Sequence, residues 1–277
     1  MLEILLKSPK EAKVIYSIFH SLCKGFESEL QLVNQRCVKI IPKIWDRSLE
    51  GLVIPGIVQF IVNHKEHHMM LSMIHEDYYF TDDEEQQQIL HIAQSIIEGE
   101  RKDIPGIQEF THREEILKDT LEQFLRPDLF FSFASFEKFR LREYAYRLRE
   151  VVEVAIEEYK LEQDYQNFIQ NLRELLEKRE CKIEQLSIVH ESNSNTYKVF
   201  NDQQKEISDD ELKSNLDETF IAQHPMYVDS NLLGPIVSIA PKQITFYTDD
   251  PFDGMVQTVQ NVFQERVSIH KLCAFKV

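Results

Sequence analysis

Glycine and proline are scarce in this sequence, with only 7 and 9 copies among 277 residues. So few of them argue against a loop-rich or low-complexity chain and favour regular secondary structure. They also leave no glycine-rich loop to cradle a phosphate, since neither a GxGxxG nor a Walker motif occurs. No GxSxG motif or ordered Ser/His/Asp arrangement is present. The common nucleotide-binding and hydrolase signatures are therefore absent.

Cysteine pairs and long apolar runs are missing as well. The four cysteines are widely spaced and form no CxxC motif, which argues against a zinc ribbon or a redox dithiol. The longest apolar stretch, 52–62, is too short for a membrane helix, which needs about 20 residues. The segment 1–7 lacks the apolar core and cleavage site of a signal peptide. We therefore expect a cytoplasmic protein with free thiols and no membrane insertion.

Positive charge is in deficit: 31 Lys and Arg residues oppose 47 Asp and Glu residues, for a net charge of −16. Because nucleic-acid binding depends on concentrated positive charge, we expect no nucleic-acid partner. The hydrophobic fraction of 43% is large enough to form real cores. A length of 277 residues favours about two domains.

The N-terminal part predicts a β-α-β-β unit followed by a helical layer. Residues 1–6 predict a strand, Ser8 with Glu11 a capped helix, and 30–33 and 37–41 a hairpin around Asn34 and Gln35. Residues 48–98 predict helices with breaks at Pro55-Gly56 and Asp82-Asp83. The linker candidate is 102–106, so we divide the chain into an α+β region, 1–104, and a second region, 105–277.

The second region predicts helices followed by a small α/β sheet. Two amphipathic helices are expected, and their apolar faces are Tyr144, Leu148, Val151, Val152, Ala155 and Tyr159, then Tyr165, Phe168, Ile169, Leu172, Leu175 and Leu176. Strands at 244–247 and 267–272 should be parallel, because a helix connects them. That helix should open at Asp250-Pro251 and turn Phe252 inward. The predicted fold class is therefore α+β.

Two clusters suggest metal chemistry. On a helix, His64 and His68 lie one turn apart and His75 lies further along the same side, as metal ligands could. Asp249, Asp250 and Asp253 follow a predicted strand, where carboxylates can hold Mg²⁺. Each cluster also has a structural interpretation. The histidines fit a polar helix face, and Asp250 fits a helix cap. We favour the structural interpretation of both, and so expect no metal and no cofactor.

Arginines alternate with aromatic residues between 136 and 149. The candidate interaction surface consists of Phe136, Phe139, Arg140, Arg142, Tyr144 and Arg147. Arginine beside aromatic rings can bind phosphates or partner surfaces, and it also occurs on ordinary amphipathic helices. We keep this segment as the candidate surface for a protein partner.

Several short segments follow one another in a characteristic order: Phe136–Tyr144, Glu158–Ile169, Leu232-Leu233, Ser238–Lys242 and Val262–Val267. In this order they resemble the YtxC-like family of endospore-forming bacteria. The resemblance implies a role in spore formation and supplies no catalytic residue or cofactor. One hypothesis is a sporulation-associated protein that binds an unidentified protein partner. The alternative is a metal-dependent hydrolase or a nucleotide-handling enzyme that uses the aspartates or the histidines.

Overall fold

The computed structural model describes residues 1–101, 104, 113–191, 196–215 and 231–275. The chain forms two compact units, Met1–Lys160 and Leu161–Val277, each with its own sheet and its own apolar core. Two mixed sheets with many helices confirm the predicted α+β class. None of the helices within the described ranges is both long and apolar enough to cross a bilayer.

The first unit contains a four-stranded sheet in the order β2-β3-β1-β4. Its strands are β1 (Leu2–Leu5), β2 (Ser28–Val33), β3 (Cys37–Pro42) and β4 (Leu129–Ser132). Strand β1 runs antiparallel to β3 and parallel to β4. Asn34 and Gln35 adopt left-handed φ angles of 49° and 60°, which a tight hairpin turn requires. With the helix after β1, these strands confirm the β-α-β-β prediction.

Helix α1 (Pro9–Leu22) packs on this sheet and begins where the sequence indicated. The Glu11 backbone N–H donates to Ser8 Oγ at 3.2 Å, and Pro9 occupies the first turn, where its missing N–H costs nothing. Ala12, Ile15 and Phe19 are fully buried against the unit's core. The helix is therefore fixed by its cap at one end and by its apolar face along its length.

One helical run extends from Trp45 to Asp77 and alternates α-helical and π-helical turns. The α-helical pieces are α2 (Trp45–Ser48), α3 (Ile54–Phe60) and α4 (Glu66–Ser72), and the π-helical turns are Leu49–Val53, Ile61–Lys65 and Met73–Asp77. Wider π turns bring the average to about 4 residues per turn. The buried and half-buried positions accordingly repeat every four residues, at 53, 57, 61, 65, 69 and 73 and at 54, 58, 62, 66, 70 and 74.

The break predicted at Pro55-Gly56 is wrong, because the helical run passes through both residues. Pro55 lies in the first turn of α3, directly after the π-helical turn Leu49–Val53, and the run continues past it although proline has no backbone N–H to donate. Gly56 allows α1 to approach closely, since a Cβ atom at this position would collide with the ring of Phe19. The second predicted break is present, and α5 (Asp83–Ile97) is capped by Asp82, whose side chain accepts from two backbone N–H groups.

The helical layer of the first unit also contains α6 (Arg113–Phe124), α7 (Phe133–Arg140) and the first part of α8 (Arg142–Lys178). The prediction of two amphipathic helices is wrong, because α8 is one continuous helix of 37 residues. No glycine or proline lies between the two apolar faces, so nothing interrupts the backbone hydrogen bonding. The predicted faces are nevertheless buried, except Tyr165 and Leu175, which are half-buried.

The compact units divide after Lys160, whereas the sequence suggested a division after residue 104. Strand β4 pairs with β1, which places residues 129–132 in the first sheet. Of the predicted linker at 102–106, only Ile104 belongs to the described residues. The boundary at 104 therefore stays a prediction about domains.

The second unit contains a five-stranded sheet in the order β7-β6-β5-β8-β9. Its strands are β5 (Gln185–Glu191), β6 (Thr196–Phe200), β7 (Glu206–Ile207), β8 (Gln243–Tyr247) and β9 (Val267–His270). Its helices are the end of α8, α9 (Asp209–Ser214), α10 (Leu233–Ile239) and α11 (Gly254–Phe263). Strands β8 and β9 are parallel neighbours joined through α11, which confirms the predicted crossover.

The start of α11 differs from the prediction. Asp253, not Asp250, is its N-cap residue, and its carboxylate accepts from the backbone N–H groups of Met255 and Val256. Phe252 lies before the helix and is 85% exposed, so its predicted inward position is wrong. The later apolar positions Val256, Val259 and Phe263 are buried as expected.

Candidate functional site

An exposed group of three cations and one aromatic ring lies where α7 ends and α8 begins. We call Lys138, Phe139, Arg140 and Arg142 the cationic patch. Phe139 is 57% exposed. Lys138 Nζ lies 5.8 Å and Arg142 Cζ 5.5 Å from the centroid of its ring. These distances allow cation–π attraction, so the two cations are held beside the ring.

The cations of the patch make no ion pair within the part of the chain that the structure describes. Arg142 Nε donates to the Lys138 carbonyl oxygen at 3.3 Å, and Arg140 Cζ lies 5.5 Å from the centroid of the Phe124 ring. Arg147, a few residues along α8, differs because its guanidinium contacts the Glu150 carboxylate at 3.2 Å. The positive charge of the patch therefore remains available to a partner.

Two residues of the predicted interaction surface are buried and do not belong to any surface. Phe136 is 2% exposed, and its ring contacts those of Phe124, Phe131 and Phe133. Tyr144 is 1% exposed, and its hydroxyl donates to the Glu66 carboxylate. The prediction that these two residues belong to an interaction surface is wrong, because both lie on the core side of their helices. The surface that remains is Phe139, Arg140 and Arg142, with Arg147 half-buried beside it.

A cleft of about 850 Å³ begins at the patch, and Lys138 belongs to both. We call it the Lys65 cleft. Lys65 is nearly buried within it, and its Nζ lies 3.1 Å from a Glu11 carboxylate oxygen and 3.2 Å from one of Glu137. Burial acts to lower the pKa of Lys65, but the two carboxylates raise it above its ordinary value. Lys65 is therefore a charged structural residue at the base of the cleft.

The histidines of the predicted metal cluster are all exposed. His68 and His75 line the Lys65 cleft, and His64 lies beside the ring of Phe60. The neighbouring His67 is also exposed, and its Nδ1 lies 3.3 Å from Gln94 Nε2. Across the described ranges, no group of three His, Cys, Asp or Glu side chains is arranged to hold a metal ion. Their positions fit a polar helix face.

The three aspartates after β8 each bind backbone N–H groups. Asp249 Oδ1 accepts from Leu272, and Asp250 Oδ1 accepts from Phe252. Asp253 Oδ1 accepts the two helix-capping bonds and a third bond of 2.6 Å from the Tyr197 hydroxyl. Burial acts to raise the pKa of Asp253, but these hydrogen bonds lower it below its ordinary value of 3.8. Turn and cap chemistry therefore accounts for all three carboxylates.

The sequence interpretation missed His190, which lies beside Asp253 in the second unit. His190 is 2% exposed, its ring stacks on Tyr197 with 4.6 Å between centroids, and its Nδ1 lies 2.9 Å from Thr248 Oγ1. Its Nε2 has no hydrogen-bond partner among the described residues. The hairpin register pairs His190 with Tyr197, so the alternation of the two strands could have revealed this pair.

These features define a two-unit α+β protein with a cationic patch on the first unit and a buried histidine in the second. Residues 52–268 match the YtxC-like family. The Uncharacterized protein YtxC of Bacillus subtilis strain 168 is 42% identical over 227 residues, which are 82% of this chain and 79% of that protein. The chain therefore belongs to the YtxC-like family. No solved structure matches it.

Proposed function

We propose that this protein takes part in spore formation by binding a protein partner through the cationic patch. The observation that carries the proposal is Phe139, an exposed ring placed between two cations that make no ion pair within the described residues. The process is the one that the family resemblance implies. Residues 52–268, which contain the patch, match the family.

The composition of the patch suits an interface. Arginine and aromatic side chains are enriched in protein–protein interfaces, and they dominate the residues whose removal weakens binding most. Here the cations already rest beside the Phe139 and Phe124 rings, so a partner would not have to order them fully. Less side-chain entropy is lost on binding when the surface is arranged in advance.

Genetic replacement in the bacterium that carries this gene tests the proposal. Deletion should leave vegetative growth intact and change spore yield or spore properties. The Arg140→Glu/Arg142→Glu variant should reproduce the deletion, because it reverses the charge of the patch without removing a buried contact. Arg147 is left unchanged, since its Glu150 pair gives it a structural contact.

A matched control reverses two other exposed cations of the first unit, Lys24 and Arg36. The Lys24→Glu/Arg36→Glu variant carries the same change in net charge, and it should form normal spores. Normal sporulation of the patch variant would contradict the proposal. Melting curves of both variants should match that of the wild type, because exposed charges contribute about 0–1 kcal/mol each.

An enzyme of the hydrolase or nucleotide-handling class is the second candidate, and His190 is the observation that favours it. A buried imidazole nitrogen without a described partner, near a carboxylate whose pKa is lowered, is typical of sites that bind or transform a ligand. Purified protein would be analysed for bound metal and assayed for nucleotide hydrolysis. Turnover that His190→Phe abolishes, with the fold retained, would favour this candidate.

A further inference from the structure

We infer that the partner presents an acidic, extended segment, whose carboxylates bind Arg140 and Arg142 and whose chain continues past Lys138 into the Lys65 cleft. This inference rests on the proposed function, because it names the chemistry of the partner that the cationic patch takes. Two observations support this inference. The patch and the cleft meet at Lys138, and both contain cations that make no ion pair among the described residues.

The guanidinium groups of the patch define the first part of the recognition. Arg140 and Arg142 are exposed, and neither makes an ion pair within the described part of the chain. A guanidinium group offers planar, paired donors that match a carboxylate and form charge-assisted hydrogen bonds with it. The ring of Phe139 lies between these charges along the chain, so an apolar side chain of the segment can cover it. A partner segment in which carboxylates flank an apolar residue therefore fits the patch.

The charges of the cleft extend the same preference. Two of its carboxylates already contact a cation: Asp77 contacts Arg149 at 2.7 Å, and Glu137 contacts Lys65 at 3.2 Å. Lys7 and Lys138, by contrast, have no carboxylate within ion-pairing distance among the described residues.

Of the carboxylates that line the cleft, Glu76 alone has no ion pair within the described ranges. Lys65 is shared by two carboxylates, and the positive and negative side chains that line the cleft are equal in number. The preference for a carboxylate therefore lies at Lys7 and Lys138, which make no ion pair among the described residues. A volume of about 850 Å³ is large enough to receive several side chains of an extended segment.

Net charge favours a short acidic segment over a polyanion. DNA and anionic membranes spread many negative charges over a large surface, and a chain of net charge −16 repels them at long range. A patch of a few cations can neutralise only a few phosphates, whereas it can match all the carboxylates of a short segment. Short-range pairing, which the salt bridges of a peptide provide, is less affected by the distant acidic surface.

The binding experiment uses the full-length protein and a defined probe. The probe is a short fluorescein-labelled peptide of glutamate and serine with a central leucine, and its counterpart has lysine at each glutamate position. Fluorescence anisotropy should show that the wild type binds the acidic peptide, with an affinity that falls as salt rises. The lysine peptide should not bind through the patch.

Charge reversal gives the decisive comparison. Arg140→Glu/Arg142→Glu should weaken binding of the acidic peptide about tenfold or more, and it should gain binding to the lysine peptide. Lys24→Glu/Arg36→Glu should keep both affinities close to those of the wild type. Circular dichroism would verify the fold, and Arg140→Gln/Arg142→Gln provides a neutral variant that should also weaken acidic binding.

Three results would overturn the inference. They are no binding of the acidic peptide by the wild type, equal weakening in the control variant, and patch-dependent binding of duplex DNA or phosphatidylserine vesicles in place of the peptide. The proposed function is judged separately by spore formation. If the patch variant fails to sporulate while the acidic peptide does not bind, the partner has another chemistry and the proposed function stands. If the acidic peptide does not bind and the patch variant sporulates normally, the inference and the proposed function are both contradicted.

Discussion

The hydroxyl of Tyr144, on α8, donates a hydrogen bond to the carboxylate of Glu66, on α4, and both side chains are buried. Arg113 Nε, on α6, lies 3.2 Å from the same carboxylate oxygen. Burying a carboxylate is costly unless hydrogen bonds and an opposite charge compensate it. This cluster therefore fixes how three helices of the first unit meet.

Tyr144→Phe should destabilise the protein by about 1.5–3 kcal/mol, the range for a hydrogen bond to a charged group. The change removes one oxygen and keeps the ring, so the loss reports the interactions of the hydroxyl, which include the bond to Glu66. Tyr146→Phe is the matched control, since Tyr146 is exposed on the same helix. Urea unfolding of both variants measures the difference. Equal stability of the two would show that Glu66 gains nothing from Tyr144.

The same cluster predicts a specific pH dependence. Burial raises the pKa of Glu66 above its ordinary value of 4.5, although Tyr144 and Arg113 oppose this. A raised pKa means that the folded state binds the proton more tightly than the unfolded state does. The contribution of Glu66 to stability is therefore fully present below pH 4.5 and declines as pH rises through the raised pKa. Glu66→Gln, measured in parallel, should lack this decline.

The helical run 45–77 shows why part of the fold could not be predicted. Its helical character followed from the sequence, but a period of 3.6 did not indicate which residues are buried. The observed period is four, because π-helical turns widen the run. This period buries Lys65 and Glu66, whereas the neighbouring histidines had indicated an exposed polar helix face. Lys65 and Glu66 can be buried because side chains from other helices surround their charges.

For a related reason, the sequence indicated only some of the residues that form the candidate site. Arginine–aromatic alternation indicated the segment 136–149 as a candidate surface, yet Phe136 and Tyr144 face the core and Phe139 faces outward. The two helices α7 and α8 meet at Leu141, which has non-helical dihedral angles, so one helical period does not extend across both. The cleft and the place of Lys138 at its edge cannot be seen in the sequence, because the cleft forms only where the segment after β1, α4 and α7 come together in three dimensions.

Lys65→Met should destabilise the first unit by about 3 kcal/mol, near the lower end for breaking a buried ion pair, because both partner carboxylates are about a quarter exposed. The loss arises because Glu11 and Glu137 are left facing each other without a cation. Adding Glu11→Gln and Glu137→Gln should recover much of the stability. A triple variant no more stable than Lys65→Met would contradict this explanation, and thermal unfolding measures all of them.

Phe168→Ala should cost about 3–5 kcal/mol, the usual penalty for emptying a large core position. Phe168 is buried in the core of the second unit with Ile169 and Leu172. Leu161 lies on the same helix and is mostly exposed, so Leu161→Ala serves as the control. Its effect should stay within about 0.5 kcal/mol of zero. A melting temperature of Phe168→Ala equal to that of the control would show that the apolar face does not form a core.

Asp253 should give the protein a pH dependence opposite to that of Glu66. Its carboxylate caps α11 and accepts from Tyr197, and these bonds lower its pKa below 3.8 although burial opposes them. A lowered pKa means that the folded state releases the proton more readily than the unfolded state does. The resulting stability is present above pH 3.8 and is lost as pH falls through the lowered pKa.

Asp253→Asn isolates this charge effect, because the amide oxygen can still accept the capping and Tyr197 bonds. Urea unfolding between about pH 6 and pH 3 should show the wild type losing stability faster than the variant as the solution is acidified. Tyr197→Phe should reduce the difference, since it removes one of the bonds that favour the ionised carboxylate. Parallel curves for the wild type and Asp253→Asn would mean that Asp253 acts as a cap without a net gain from its charge.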